Sequence, residues 1–197
     1  MLNLVKKSFA ASLLIGLGNF ALLKLGNPIG PIIFAFGLLG VCYLGQNLFT
    51  GKCGFLFEDN LKVCDLLIIL IVNLAAGYLI GLLFSVADPS IVEAASNKVA
   101  TWEFSFAFFI KSVLCGVIMY LAVKMYKKGT PLGIIFGIPL FIFCGFQHCI
   151  ANVITLGVAA TFSWSLALAI VGNFLGSLAT SFITADSKSK TSKKKSA

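Results

Sequence analysis

The only histidine of the chain, His148, lies in Gly145-Phe146-Gln147-His148-Cys149-Ile150-Ala151-Asn152, where glycine and hydrogen-bonding side chains interrupt a long apolar run. An imidazole there can donate a hydrogen bond when neutral and carry a proton when charged. One hundred residues earlier, Gly45-Gln46-Asn47-Leu48-Phe49-Thr50-Gly51 interrupts another apolar run and offers the Thr50 hydroxyl. Unpaired backbone groups at membrane depth cost several kcal/mol unless they face protein or a water-filled cavity. Close helix packing would explain either Gly45 or Gly145 alone. The matched pair, with the one histidine in the second break, points instead to a solute path. Asn152 is expected to satisfy backbone groups freed beside it, and Asn73 and Asn173 to do the same at helix contacts.

The elements that hold these breaks are membrane helices. Of the 197 residues, 59% are hydrophobic and 11% charged, with a mean hydropathy of +1.01. A soluble domain is about 45–50% apolar and about 25% charged. Crossing the hydrocarbon core takes roughly 20 apolar residues as a helix. Six stretches meet this, near 8–25, 30–49, 65–87, 104–123, 131–158 and 162–185. The first follows Lys6 and Lys7 as a signal peptide would, yet it runs without a small-residue cleavage site into Asn27-Pro28 and the next span.

Lysine placement sets the orientation. With the N-terminus inside, the cytoplasmic segments hold Lys6, Lys7, Lys52, Lys62, Lys124, Lys127, Lys128, Lys188, Lys190, Lys193, Lys194 and Lys195, which is twelve of fifteen. Both termini are therefore expected in the cytoplasm, in a multi-pass protein of the cell (inner) membrane. Residues 1–185 read as a single transmembrane domain and 186–197 as a disordered basic tail. Within the domain, Ile71-Val72-Asn73 with Gly77 echoes Ile170-Val171-Gly172-Asn173 with Gly176. Two repeats, about 5–87 and 102–185, follow from this, and three spans each force them to be inverted.

The formal net charge of +8 suits lipid headgroups and anionic solutes, and no face is polar enough for nucleic acid. Lys111 falls in the middle of the fourth span, where facing lipid costs roughly 2.5–3.5 kcal/mol, so it must snorkel, pair or face a cavity. Glu103 is too far along a helix to pair with it directly. Lys98 is the better candidate for drawing anions from outside. The six cysteines form no C-x-x-C pair and read as free. Gly16-Leu17-Gly18 with Ala21 matches a dinucleotide fingerprint only by accident, because it follows no strand. No metal or cofactor site is expected.

At the two breaks the chain resembles the formate/nitrite transporter family. Phe34-Ala35-Phe36-Gly37-Leu38 through Asn47-Leu48-Phe49-Thr50-Gly51 is similar to the family's second span, and Gly145 to Asn152 is similar to its G-[FY]-E-H-S-[IV]-A-N motif. Phe109-Ile110-Lys111-Ser112-Val113-Leu114-Cys115-Gly116 resembles its fourth-span pattern, and Lys98 sits about two residues from the family's lysine. The resemblance implies an all-α, aquaporin-like subunit of six helices with the second and fifth broken. It also implies a homopentamer in which each subunit conducts a small monovalent anion, with a proton as a further partner through His148. Phe34, Leu38, Leu48, Phe49 and Phe141 become candidate constrictions, and Thr50, His148, Gln147 and Asn152 the polar lining. Lys98 and Lys111 become vestibule charges. The chain departs from the family at Gln147 for glutamate, Cys149 for serine and Gly116 for asparagine. It also begins almost at its first span, where the family carries an amphipathic helix.

Other functions remain open from sequence. An aquaporin-like neutral-solute pore lacks its N-P-A pairs, because the only Asn-Pro is Asn27-Pro28. A membrane-embedded enzyme lacks paired carboxylates in the spans and clustered metal ligands. A non-transporting assembly subunit would not need matched breaks. Small-residue faces, Gly16 with Gly18 and Gly172 with Gly176, are expected to serve contacts between copies.

Overall fold

A computed structural model describes residues 1–184, so the expected basic tail lies outside the described residues. The chain is helical, running α1 (Leu2–Leu25), α2 (Ile29–Tyr43), α3 (Phe49–Lys52), a 3-10 turn at Cys53–Phe55, α4 (Val63–Ala87), α5 (Ile91–Ala100), α6 (Phe106–Lys127), α7 (Leu132–Phe143), α8 (Cys149–Val158) and α9 (Ser165–Ile183). Four of these, α1, α4, α6 and α9, are long and apolar enough to cross a membrane. The second and fifth expected spans are each divided into two shorter helices. Charges gather where helices end: Lys24 pairs with Asp88, Lys124 with Glu58 and Lys127 with Asp59.

Both divisions use the same C-terminal device. Gly45 (φ 61°) and Gly145 (φ 68°) take the left-handed conformation just past α2 and α7. Gly45 N donates to Cys42 O and Gln46 N to Val41 O; Gly145 N donates to Ile142 O and Phe146 N to Phe141 O. This is a Schellman cap made twice, and it satisfies carbonyls that would otherwise face a low-dielectric interior. A Cβ at either glycine would meet nothing within 4 Å, so backbone conformation rather than close packing requires glycine here. Gly145→Ala should therefore lower stability by about 1–2 kcal/mol through backbone strain alone, seen as a lower unfolding midpoint in detergent.

Close packing uses other glycines. A Cβ on Gly16 would lie 2.9 Å from Ile80, one on Gly18 2.9 Å from Phe34 O, and one on Gly176 2.0 Å from Val113 O. These small-residue faces are filled within one subunit, correcting their expected use between copies. α6 lies along α9, α1 along α2 and α4, and α8 against α4. All ten residues of α8 are buried.

Lys111 is also corrected. The fourth span starts at Phe106, where the Ser105 hydroxyl accepts from Phe108 N, so Lys111 stands in the second turn rather than mid-span, and it is exposed. α5, which contains Lys98, is an additional helix in the connection between α4 and α6.

Candidate functional site

The half-helices α3 and α8 begin beside each other. At the start of α8, His148 is the N-cap: its Nδ1 accepts from Ala151 N at 3.1 Å. A ring nitrogen that accepts an N–H carries no hydrogen, so the imidazole hydrogen is on Nε2. Nε2 lies 2.8 Å from Thr50 Oγ1 in α3. His148 therefore donates to Thr50, and the described residues give the Thr50 hydroxyl hydrogen no other acceptor. A buried donor with no acceptor in the protein is one that a solute can use.

Two asparagines hold this arrangement. Asn73 Oδ1 accepts from Phe49 N at 2.8 Å, while its Nδ2 donates to Ser8 O at 2.7 Å and Asn47 O at 3.2 Å. Asn173 Oδ1 accepts from Cys149 N at 2.8 Å, and its Nδ2 donates to Ser112 O and Gln147 O, each at 2.8 Å. Each amide thus starts one half-helix and ties the linker before it to a long helix. The sequence reading expected both to satisfy freed backbone groups at helix contacts, as they do, but did not place them at the starts of the half-helices; their equal 24-residue offset from Phe49 and Cys149 was the available signal. Asn152 differs from expectation, because its side chain donates to Gln147 Oε1 at 3.0 Å rather than to backbone.

Around the Thr50–His148 pair the walls are apolar. The Phe141 ring stacks on His148 at 5.9 Å, and Phe34 meets Phe141 edge-on at 6.1 Å. A small cavity of about 50 Å³ borders Phe34, Phe141, Gln147, His148, Asn152 and Lys98. A larger one of about 390 Å³ borders Leu38 and Leu48, with Lys52, Tyr126 and Lys127 beyond them. Phe34 and Leu38 are one turn apart on α2, so one helix face touches both cavities. Phe34, Leu38, Leu48, Thr50, Phe141 and His148 are each at most 3% exposed, so side chains close the space between the cavities. Phe49 is not among these walls: it lies in a separate apolar cleft with Leu66 and Phe174.

Of the two expected vestibule lysines, Lys98 reaches the small cavity itself. Burial in the α4–α6 connection pushes its ammonium down to about 8. Lys111 and Glu103, which is not helical, share a third cavity of about 300 Å³ that meets the small one at Gly145 and Gln147. The sequence reading did not single out Lys52 or Lys127 as cavity residues.

The departures from the family pattern have local explanations in two cases. A Cβ at Gly116 would lie 2.3 Å from Asn173 O, so α9 packs too close to α6 for the family's asparagine there. Gln147 accepts from Asn152 and donates from Nε2 to Gly145 O at 3.0 Å, bracing the break without a charge. Nothing in the structure explains cysteine at Cys149.

An all-helical integral membrane protein whose polar side chains converge on paired helix breaks between cavities has the build of a membrane transport protein. This chain belongs to the formate/nitrite transporter family, whose sequence profile matches residues 1–184. It is 28% identical over 185 residues to the uncharacterized transporter YrhG of Bacillus subtilis (strain 168), covering 81% of this chain and 66% of that one, just under two thirds of the relative's length. Its fold is similar to that of a solved FNT family ion channel, with a TM-score of 0.74 and 23% identity over 92% of this chain and 86% of the other. A solved pentameric formate channel with formate bound is also similar, with a TM-score of 0.71 and 17% identity over 92% of each chain.

Proposed function

We propose that the chain conducts small monovalent anions of the formate, nitrite or hydrosulfide class through the Thr50–His148 break. The observation that carries this reading is the Nε2 to Oγ1 hydrogen bond between two half-helix starts, closed on both sides by apolar side chains and flanked by cavities with lysines. An isolated anion in a low-dielectric interior is strongly disfavoured unless something pairs with it. Here the lysines collect it, and the Thr50 hydroxyl, oriented by His148, donates to it where water is excluded. Leu38 with Leu48, and Phe34 with Phe141, are the two constrictions.

The architecture in this reading is six crossings in two inverted halves, about 5–87 and 102–185, with both termini in the cytoplasm and residues 186–197 as a basic tail. The Lys52 cavity then faces the cytoplasm and the Lys98 and Lys111 cavities the outside. The twin Schellman caps and twin asparagine ties support the repeat. Five subunits assemble, as in the pentameric formate channel of similar fold, and in this reading each carries its own passage.

Purified protein in liposomes, offered formate, nitrite, hydrosulfide, chloride and glycerol side by side, tests the reading. Passage of one or more of the small weak-acid anions, faster than glycerol, is the expected result. Glycerol passage without anion passage would replace it with a neutral-solute pore, and no passage of any solute with an assembly subunit.

A further inference from the structure

The larger cavity has two charged lining groups, Lys52 and Lys127, and they are not equivalent. Lys127 Nζ donates to both carboxylate oxygens of Asp59, at 2.8 and 2.7 Å, and lies 3.7 Å from the centre of the Phe55 ring. Its charge is matched, by an exposed ion pair. One turn earlier, Lys124 is matched in the same way by Glu58 at 3.0 Å, so the segment after the 3-10 turn delivers one carboxylate to each of these α6 lysines. Lys52 has no ion pair among the described residues. It is half-buried at the end of α3, two residues from Thr50.

From this asymmetry we infer that the larger cavity is an anion-capture site in which Lys52 supplies the working charge and Asp59 trims it by holding Lys127. The inference rests on the anion-channel reading and adds the residues that set the rate of capture at this mouth. A recess with low-dielectric walls focuses the field of an unmatched ammonium and raises the local concentration of small anions. An ammonium already shared with a carboxylate adds little. Removing Lys52 therefore takes away the unmatched charge, whereas removing the Asp59 charge releases a second one. Opposite effects from Lys52 on the rim and from Asp59, which acts through Lys127, are what a purely structural role for either would not produce.

Cys42 lines the same cavity and is half-buried, which provides a readout that does not depend on transport. In a Cys64→Ser/Cys144→Ser background, which removes the exposed thiols, the rates of Cys42 modification by an anionic and a cationic methanethiosulfonate are compared. At low salt, Lys52→Gln should lower the anionic-to-cationic rate ratio on the order of tenfold. Asp59→Asn should raise it and Lys52→Arg should preserve it. All differences should shrink in 1 M salt, where the screening length is about 3 Å. Anion conductance in planar bilayers should follow the same order. Unchanged ratios in Lys52→Gln and Asp59→Asn, in protein that elutes like the parent, would overturn the inference even if anions pass. Ratios that shift while no anion passes would overturn the channel reading and leave only a charged recess.

Discussion

Asn173→Ala should destabilise the protein by about 2–6 kcal/mol, because two buried partners, Cys149 N and Ser112 O, and the half-buried Gln147 O lose their hydrogen bonds at once. The amide is fully buried, so water cannot replace the first two. Asn152→Ala, which removes one side-chain partner, should cost about 1 kcal/mol by the same reasoning. Unfolding midpoints of the two variants in one detergent provide the comparison. Equal midpoints would show that Asn173 does not organise the start of α8.

His148→Asn should fold, because asparagine is as good an N-cap as the Nδ1 it replaces. It should nonetheless lose anion uptake on the order of a hundredfold, the scale of removing one preorganised donor. The pH profile separates two roles for the imidazole. With its hydrogen on Nε2 and its Nδ1 committed to Ala151 N, the ring can orient Thr50 but has no proton to release. Proton coupling would require Nδ1 to take up a proton and the cap to open beside the positive end of α8. If His148 only orients, the residual uptake of His148→Asn keeps the parent's profile on the acid side. If it carries a proton, the acid-side response disappears with the imidazole. The alkaline side belongs to Lys98, whose ammonium is charged below about 8 and neutral above it, so uptake should decline there in both proteins. Lys98→Gln should remove that decline.

The long apolar helices were legible because helix length and hydropathy are set by the bilayer, and the divisions because glycine beside hydrogen-bonding side chains recurs at matched places, which close packing alone does not require. Thr50 and His148 were found that way. Asn73 and Asn173 were legible as amides that satisfy freed backbone groups, but which groups was not, because what an amide satisfies depends on which helix start folds against it. Lys111 was misplaced within its span for a related reason. An apolar run continues through Phe104 to Phe106, and only the Ser105 cap reveals that the helix begins there. Helix α5 escaped notice because its ten residues are amphipathic and too short for a hydropathy signal. Lys52 and Lys127 read as orientation signals; their difference lies in carboxylates that the chain brings back after the 3-10 turn.

The two half-helices that meet at the break are mechanically unequal. Helix α8 is buried along all ten residues, with Gly157 so close to α4 that a Cβ would lie 2.2 Å from Tyr78 O. It cannot tilt without disrupting a continuous packed seam. Helix α3 spans four residues, passes at once into a 3-10 turn, and is half-exposed at Gly51 and Lys52. In the proposed passage, α8 is held along its whole length, and α3 is anchored by the buried turn after it, where a Cβ on Gly54 would lie 2.6 Å from the Tyr120 ring. Any widening for a solute would therefore fall on Gly51 and Lys52, the half-exposed residues between Thr50 and that turn, while the imidazole on α8 stays in register.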